Sequence, residues 1–152
     1  MTMEQATTLD VADRLDILDL YARYSVLFDT GRAEEWAELF TADGTFFIVG
    51  GPSLCGREEL APFAERRYRD TPGIRHIVSN VIVEAAGDGA SGSAYVVVLG
   101  GVDDGTETQI LTLGGYDDRL ARTEAGWRFG SRTYCAWTNP AKTNGRLFGI
   151  SL

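Results

Sequence analysis

The spacing of apolar residues changes once along the chain, near Ile74, from a period of three and four to a period of two. This switch constrains the fold more than any other feature. Before it, Ile17, Leu20, Tyr21, Tyr24, Leu27 and Phe28 recur at helical spacing between about Leu9 and Phe28, with Asp16, Asp19 and Arg23 on a solvent-facing stripe. "DTG" breaks this helix, "AEEWAELF" makes a short second one, and "TADGT" reads as a turn into "FFIVG". A third helix is expected from about Arg57 to Arg69. After the switch come four strand-like runs, "IRHIVSNVIVE", "SAYVVVLGG", "TQILTLGGYDDRL" and "GWRFGSRTYCAW". The Gly- and Asp-rich stretches "AAGDGASG", "VDDGTE" and "RTEAG" join them as hairpin turns. Helices first and an antiparallel meander second make an α+β protein.

Strict alternation in the first run puts Ile74, His76, Val78 and Ile82 on one face and Ile77, Val81 and Val83 on the other. Neither face is polar, so both are expected to be covered, by the helices on one side and a partner subunit on the other, or by the strong curling of the sheet itself. At 152 residues, with 44% apolar and 24% charged, the chain is expected to form one soluble domain over residues 1–152.

The formal charge of −8 argues against nucleic acid or an anionic membrane as a partner. No segment has the run of apolar residues that a membrane helix needs, and the stretch "MTMEQATTLD" lacks the features of a signal peptide. A cytoplasmic location is expected. Cys55 and Cys135 are read as small core residues. One histidine, with no CxxC, HExxH or glycine-rich phosphate loop, implies no metal and no cofactor.

Asp29 stands where the first helix still faces inward. On a helical wheel it falls in line with Leu18, Ala22 and Ser25, whose small members leave room for a pocket floor. The plainer reading is that Asp29 starts the "DTG" turn. His76, the lone histidine, sits mid-strand among apolar neighbours, either as a core imidazole or as a base that a carboxylate such as Asp29 would orient. Alternation sends Arg132 to the solvated side with Arg128 and Tyr134, unless a bulge at Gly130 turns it inward. Tyr21, Tyr24 and Tyr134 suit a half-buried core.

The stretches "DILDLYARYSVLFDTGRAEEWAELFTADGTF", "GREELAPF", "IRHIVSN" and "YDDRLARTEAGWRF" together resemble the SnoaL-like branch of the nuclear transport factor 2-like superfamily, from about residue 9 to 137. The resemblance implies a cone in which three N-terminal helices pack in a curved antiparallel or mixed sheet around a deep apolar pocket. Asp29 and His76 stand where scytalone dehydratases and lindane dehydrochlorinases of this superfamily carry a catalytic pair. Arg132 matches an arginine that assists a leaving chloride, and Tyr24 matches the tyrosine spacing of bile-acid dehydratases. The implied activity is a dehydratase-type elimination, a lyase reaction with Asp29, His76, Tyr24 and Arg132 as its catalytic set. The alternatives are an isomerase or polyketide cyclase with the same base, or a non-catalytic ligand-binding protein or assembly subunit. The expected ligand is a small hydrophobic cyclic or aromatic molecule held by Tyr21, Phe46, Ile48, Phe63, Val78, Val98 and Trp137. The expected assembly is a homodimer or homotrimer, and the tail "TNPAKTNGRLFGISL" is expected to close over the pocket or dock on a neighbour.

Overall fold

A computed structural model describes residues 8–101 and 107–137. It is α+β, with three helices packed on one face of a curved, six-stranded mixed sheet. The first helix, α1 (Val11–Asp29), begins where Asp10 accepts a hydrogen bond from the Asp13 N–H (2.8 Å) while the Asp13 carboxylate accepts one from the Asp10 N–H (3.3 Å). This reciprocal cap satisfies two of the amides that a helix start leaves unpaired. Thr30 and Gly31 end the helix. Gly31 has φ of 74°, and a Cβ there would press into the Tyr68 ring at 2.7 Å, so only glycine turns the chain at this point.

The short α2 (Ala33–Ala37) buries Trp36 and Ala37, and α3 (Arg57–Asp70) buries Leu60, Ala61, Phe63 and Ala64. The strands are β1 (Phe40–Ile48), β2 (Ser53–Cys55), β3 (Arg75–Ala86), β4 (Gly89–Gly101), β5 (Thr108–Thr123) and β6 (Gly126–Ala136). Their order across the sheet is β2-β1-β6-β5-β4-β3. The β1–β6 pair is parallel and every other pair is antiparallel. The meander from β3 to β6 is therefore the one the two-residue period announces, and β1 adds to it across the sequence. The stretch "TADGT" is no turn: it lies within β1, where the register with β6 shifts between Phe40 and Thr45. The stretch "VDDGTE" and the tail from residue 138 fall outside the described residues, apart from Glu107.

Two bulges decide which side chains meet the helices. On β3, Ser79 pairs with Tyr95 but Ile82 with Ser93, so one extra residue is inserted around Asn80, whose φ is 54°. Ile74 and Val83 consequently share the buried side, whereas Ile77 (51% exposed) and Ile82 (42%) point outward together. This corrects the alternation expected for the run. On β6, Phe129 pairs with Leu120 but Ser131 with Arg119, which leaves Gly130 as the extra residue and brings Arg132 to the same side as Trp127 and Phe129. The core between helices and sheet is dominated by rings. Tyr24 alone meets Phe28, Trp36, Phe40, Phe46, Tyr116 and Phe129 at centroid distances between 5.3 and 6.4 Å. Cys55, expected in the core, is exposed on the short strand β2, and Cys135 is partly buried; both are free thiols.

Candidate functional site

The C-terminus of α1 meets the start of β3, and there Asp29 and His76 form a two-point contact. The His76 backbone N–H donates to Asp29 Oδ2 (2.7 Å), and the ring Nδ1 lies 2.6 Å from Asp29 Oδ1. A carboxylate only accepts, so Nδ1 carries a proton, and in the neutral form of the ring Nε2 is the nitrogen with the free lone pair. Asp29 is 7% exposed, and Arg75 donates to its backbone carbonyl (3.4 Å). Phe28 stands edge-on to the imidazole at 5.3 Å and completes its wall.

His76 lines a cavity of about 300 Å³ together with Tyr24, Phe28, Phe46, Ile48 and Phe63 on one side and Val98, Thr112, Tyr116 and Tyr134 on the other. Arg67, Thr71, Ile74 and Leu111 complete it. Phe63 and Arg67 lie four residues apart on α3, and Thr71 caps its C-terminus one turn further on, which sets the three along the cavity side. Burial pushes the Tyr24 and Tyr116 phenols well above the ordinary tyrosine range, so both remain neutral hydrogen-bond donors. Thr112 Oγ1 and the Tyr134 hydroxyl are bonded to each other at 3.0 Å. The walls thus combine aromatic surface with a few hydroxyls and one imidazole.

Behind Tyr24 and Tyr116 lies a buried ion pair. Arg132, 0% exposed, donates from Nε (2.8 Å) and Nη2 (2.7 Å) to the two oxygens of Asp118, which also accepts from the Tyr21 hydroxyl. Its guanidinium stacks against Tyr116 at 3.9 Å and Tyr24 at 4.1 Å. Burial works against the charge, but the Asp118 carboxylate outweighs it and holds Arg132 protonated. A Cβ at Gly92 would collide with the Tyr21 hydroxyl, so glycine there makes room for this cluster. The Arg132 Nη1 has no hydrogen-bond partner among the described residues.

The expected site is therefore brought together in part. Asp29, His76 and Tyr24 converge, and Phe46, Ile48, Phe63 and Val98 line the cavity. Arg132 does not line it: the Gly130 bulge turns the side chain inward, but Asp118 and the tyrosine rings hold it beneath the floor. Tyr21 is likewise drawn away by Asp118, and Val78 is packed against the core without reaching the cavity. Trp137 does not line the cavity either: its ring meets that of Tyr95, a residue 42% exposed, edge to face at 4.8 Å. The small-residue floor is also corrected. Leu18 and Ala22 face solvent, and the wall comes instead from Tyr24 and Phe28 on the adjacent stripe of α1. Arg67, Thr71, Thr112 and Tyr116 were not among the expected ligand-contacting residues. A row of positions 63, 67 and 71 on one helical face is the signal that would have found the first two.

The SnoaL-like domain family matches this chain over residues 10–133. The chain belongs to that family. Among solved structures, a nuclear transport factor 2-like protein with a cystatin-like fold from Novosphingobium aromaticivorans superposes with a TM-score of 0.78 at 29% identity, covering 88% of each chain. A putative scytalone dehydratase from the same organism gives 0.73 at 20% identity over 83% of this chain and 85% of its own, a likeness of fold alone. The anthranilate 1,2-dioxygenase small subunit of Burkholderia cepacia is 27% identical over 90% of this chain and 94% of its own length. The SnoaL-like assignment places the chain in the nuclear transport factor 2-like superfamily, whose helix-lined cone is the fold described above. Among the described residues of this SnoaL-like chain, no helix is long and apolar enough to cross a membrane.

Proposed function

We propose that this SnoaL-like protein is a cofactor-independent lyase that removes a proton and a leaving group from a small cyclic substrate. His76 takes the proton at Nε2, and Asp29 fixes the tautomer and stabilises the imidazolium that forms. Tyr24, a neutral donor that lines the same cavity, protonates or hydrogen-bonds the departing oxygen or halide. Arg132 acts through Tyr24 and Tyr116, because it stacks on both rings without lining the cavity. The observation that carries this reading is the double contact from one buried carboxylate to the backbone and ring of a histidine that lines an apolar cavity.

The reading is tested by turnover of cyclic β-hydroxy and β-halo ketones, followed through the absorbance of the conjugated product. The wild type accelerates elimination from at least one member of such a panel. His76→Gln loses about 10²- to 10⁴-fold of that rate, the usual weight of a general base. Absence of turnover across the panel, or turnover that survives His76→Gln, would overturn the proposal.

A second reading is a binding or assembly subunit without catalysis, and a different observation favours it. The sheet face away from the helices exposes Ile77, Ile82, Tyr95, Ile110 and Leu113. Such a continuous apolar face suits burial against another chain, and a relative of similar length is named as a dioxygenase small subunit. The lyase reading also accommodates this face, as the contact of a homodimer or homotrimer. The free thiols at Cys55 and Cys135 suit the reducing cytoplasm.

A further inference from the structure

The charge on the cavity wall has one sign. The chain carries 22 acidic residues against 14 Lys and Arg, yet among the described residues no Asp or Glu lines the cavity. Its ionisable lining consists of His76, Arg67 and three phenols. Of the acidic groups behind the wall, Asp29 is already engaged by His76 and Asp118 by Arg132 and Tyr21.

Arg67 differs from most of its neighbours in having no assigned partner. Arg57 pairs with Glu38, Arg69 with Asp70 at 3.5 Å, Arg32 with Glu35, and Arg75 donates to two backbone carbonyls. The Arg67 guanidinium has no carboxylate partner among the described residues, and its helix position brings it to the cavity that holds Phe63 and Thr71. A cation in the last turn of α3 suits the helix dipole, but Arg69 already supplies one there without reaching the cavity. The backbone carbonyl of Arg67, which would repel an anion, accepts from both the N–H (3.0 Å) and the hydroxyl (2.6 Å) of Thr71.

We propose that the cavity takes a cyclic or aromatic carboxylate, with the ring among Phe28, Phe46 and Phe63 and the carboxylate at the rim on Arg67. This deepens the proposed function and rests on the cavity being its substrate site. A guanidinium presents two parallel N–H donors that match a carboxylate, and that geometry rewards a planar anion over a neutral amide of the same shape. The cavity volume of about 300 Å³ suits a molecule of one or two rings.

The test is calorimetric titration of the full-length protein with 2-naphthoate and with its neutral isostere 2-naphthamide, in wild type, Arg67→Gln and Arg66→Gln. Arg66 is an exposed neighbour that does not line the cavity, and so it controls for net charge. The wild type should prefer 2-naphthoate by about tenfold, the scale of one charge-assisted contact. That preference should vanish in Arg67→Gln and persist in Arg66→Gln, with 2-naphthamide affinity changed by less than about twofold throughout. Equal affinity of the wild type for the two ligands, or a preference that survives Arg67→Gln, overturns the carboxylate while leaving His76-dependent elimination standing. If neither naphthyl compound binds, the carboxylate and the aromatic cavity are overturned together.

Discussion

Asp29 places both carboxylate oxygens on His76, and Asp118 places both of its own on Arg132 and Tyr21. The two acids differ in what they leave available. Asp29 leaves a ring nitrogen that can accept a proton, whereas Asp118 neutralises a buried cation and fixes the rings above it. Removing one partner of a buried ion pair leaves the other charge without compensation, which typically costs about 3–5 kcal/mol. Asp118→Asn should therefore lower unfolding stability by about that amount in denaturant titrations. Replacing Asp118 and Arg132 together by leucine should recover most of the loss, because no charge then remains buried. A single variant no less stable than wild type would show that the pair is not compensated as described. The residue types in both clusters were legible in sequence, but the pairing was not. Asp118 looked like any residue of "GYDDRL", and only the fold brings it against a residue fourteen positions on.

Among the elements, α1 and the β5–β6 hairpin are tied by Asp13. Its carboxylate pairs with Arg122 at 2.5 Å and accepts from the Trp127 indole at 3.1 Å, while also capping its own helix. Arg122 chiefly, then the Trp127 and Asp10 hydrogen bonds, hold the Asp13 carboxyl below its ordinary value of 3.8. A depressed carboxyl stabilises the fold above that ordinary value and loses its contribution as pH falls through the lower, folded-state value. Acidification below about pH 4 should thus loosen the tie. In Asp13→Asn the melting temperature should be lower at neutral pH, and the additional drop between pH 5 and pH 3 should be smaller than in wild type. An equal acid sensitivity in the two proteins would exclude Asp13 as a contributor. The helices were readable because their caps and apolar stripes are local. The strand faces were not, since a bulge inserts one residue and reverses every later side chain on its strand. Gly130 permits such a bulge openly, whereas Asn80 announces one only through its tolerance of positive φ.

For the molecule as a whole, the period switch near Ile74 was enough to give α+β and the meander, and the family resemblance supplied the curvature; it left the sheet antiparallel or mixed, and the parallel addition of β1 to β6 is seen only in the fold. The position of the cavity followed from both. Its exact lining did not, because the choice between Tyr24 and Ser25, or between Val78 and Thr112, is made by helix rotation and strand register rather than by composition. The outer sheet face exposes Ile77, Ile82, Tyr95, Ile110 and Leu113. Ile77→Lys on that face should convert a homo-oligomer to monomers in sedimentation velocity while leaving the fold intact, since Ile77 touches none of the helix-side core. A wild type that is already monomeric at micromolar concentration would remove self-association as the role of this face.

The central claim is that Asp29 holds the His76 ring with Nδ1 protonated and Nε2 open to the cavity. Nitrogen-15 NMR of the imidazole at neutral pH measures this directly, in wild type and in Asp29→Asn. The wild type should show a protonated Nδ1 and an unprotonated Nε2, and the variant should show exchange between both neutral tautomers. A wild-type ring protonated at Nε2, or a tautomer that does not change when the carboxylate is lost, would contradict the account.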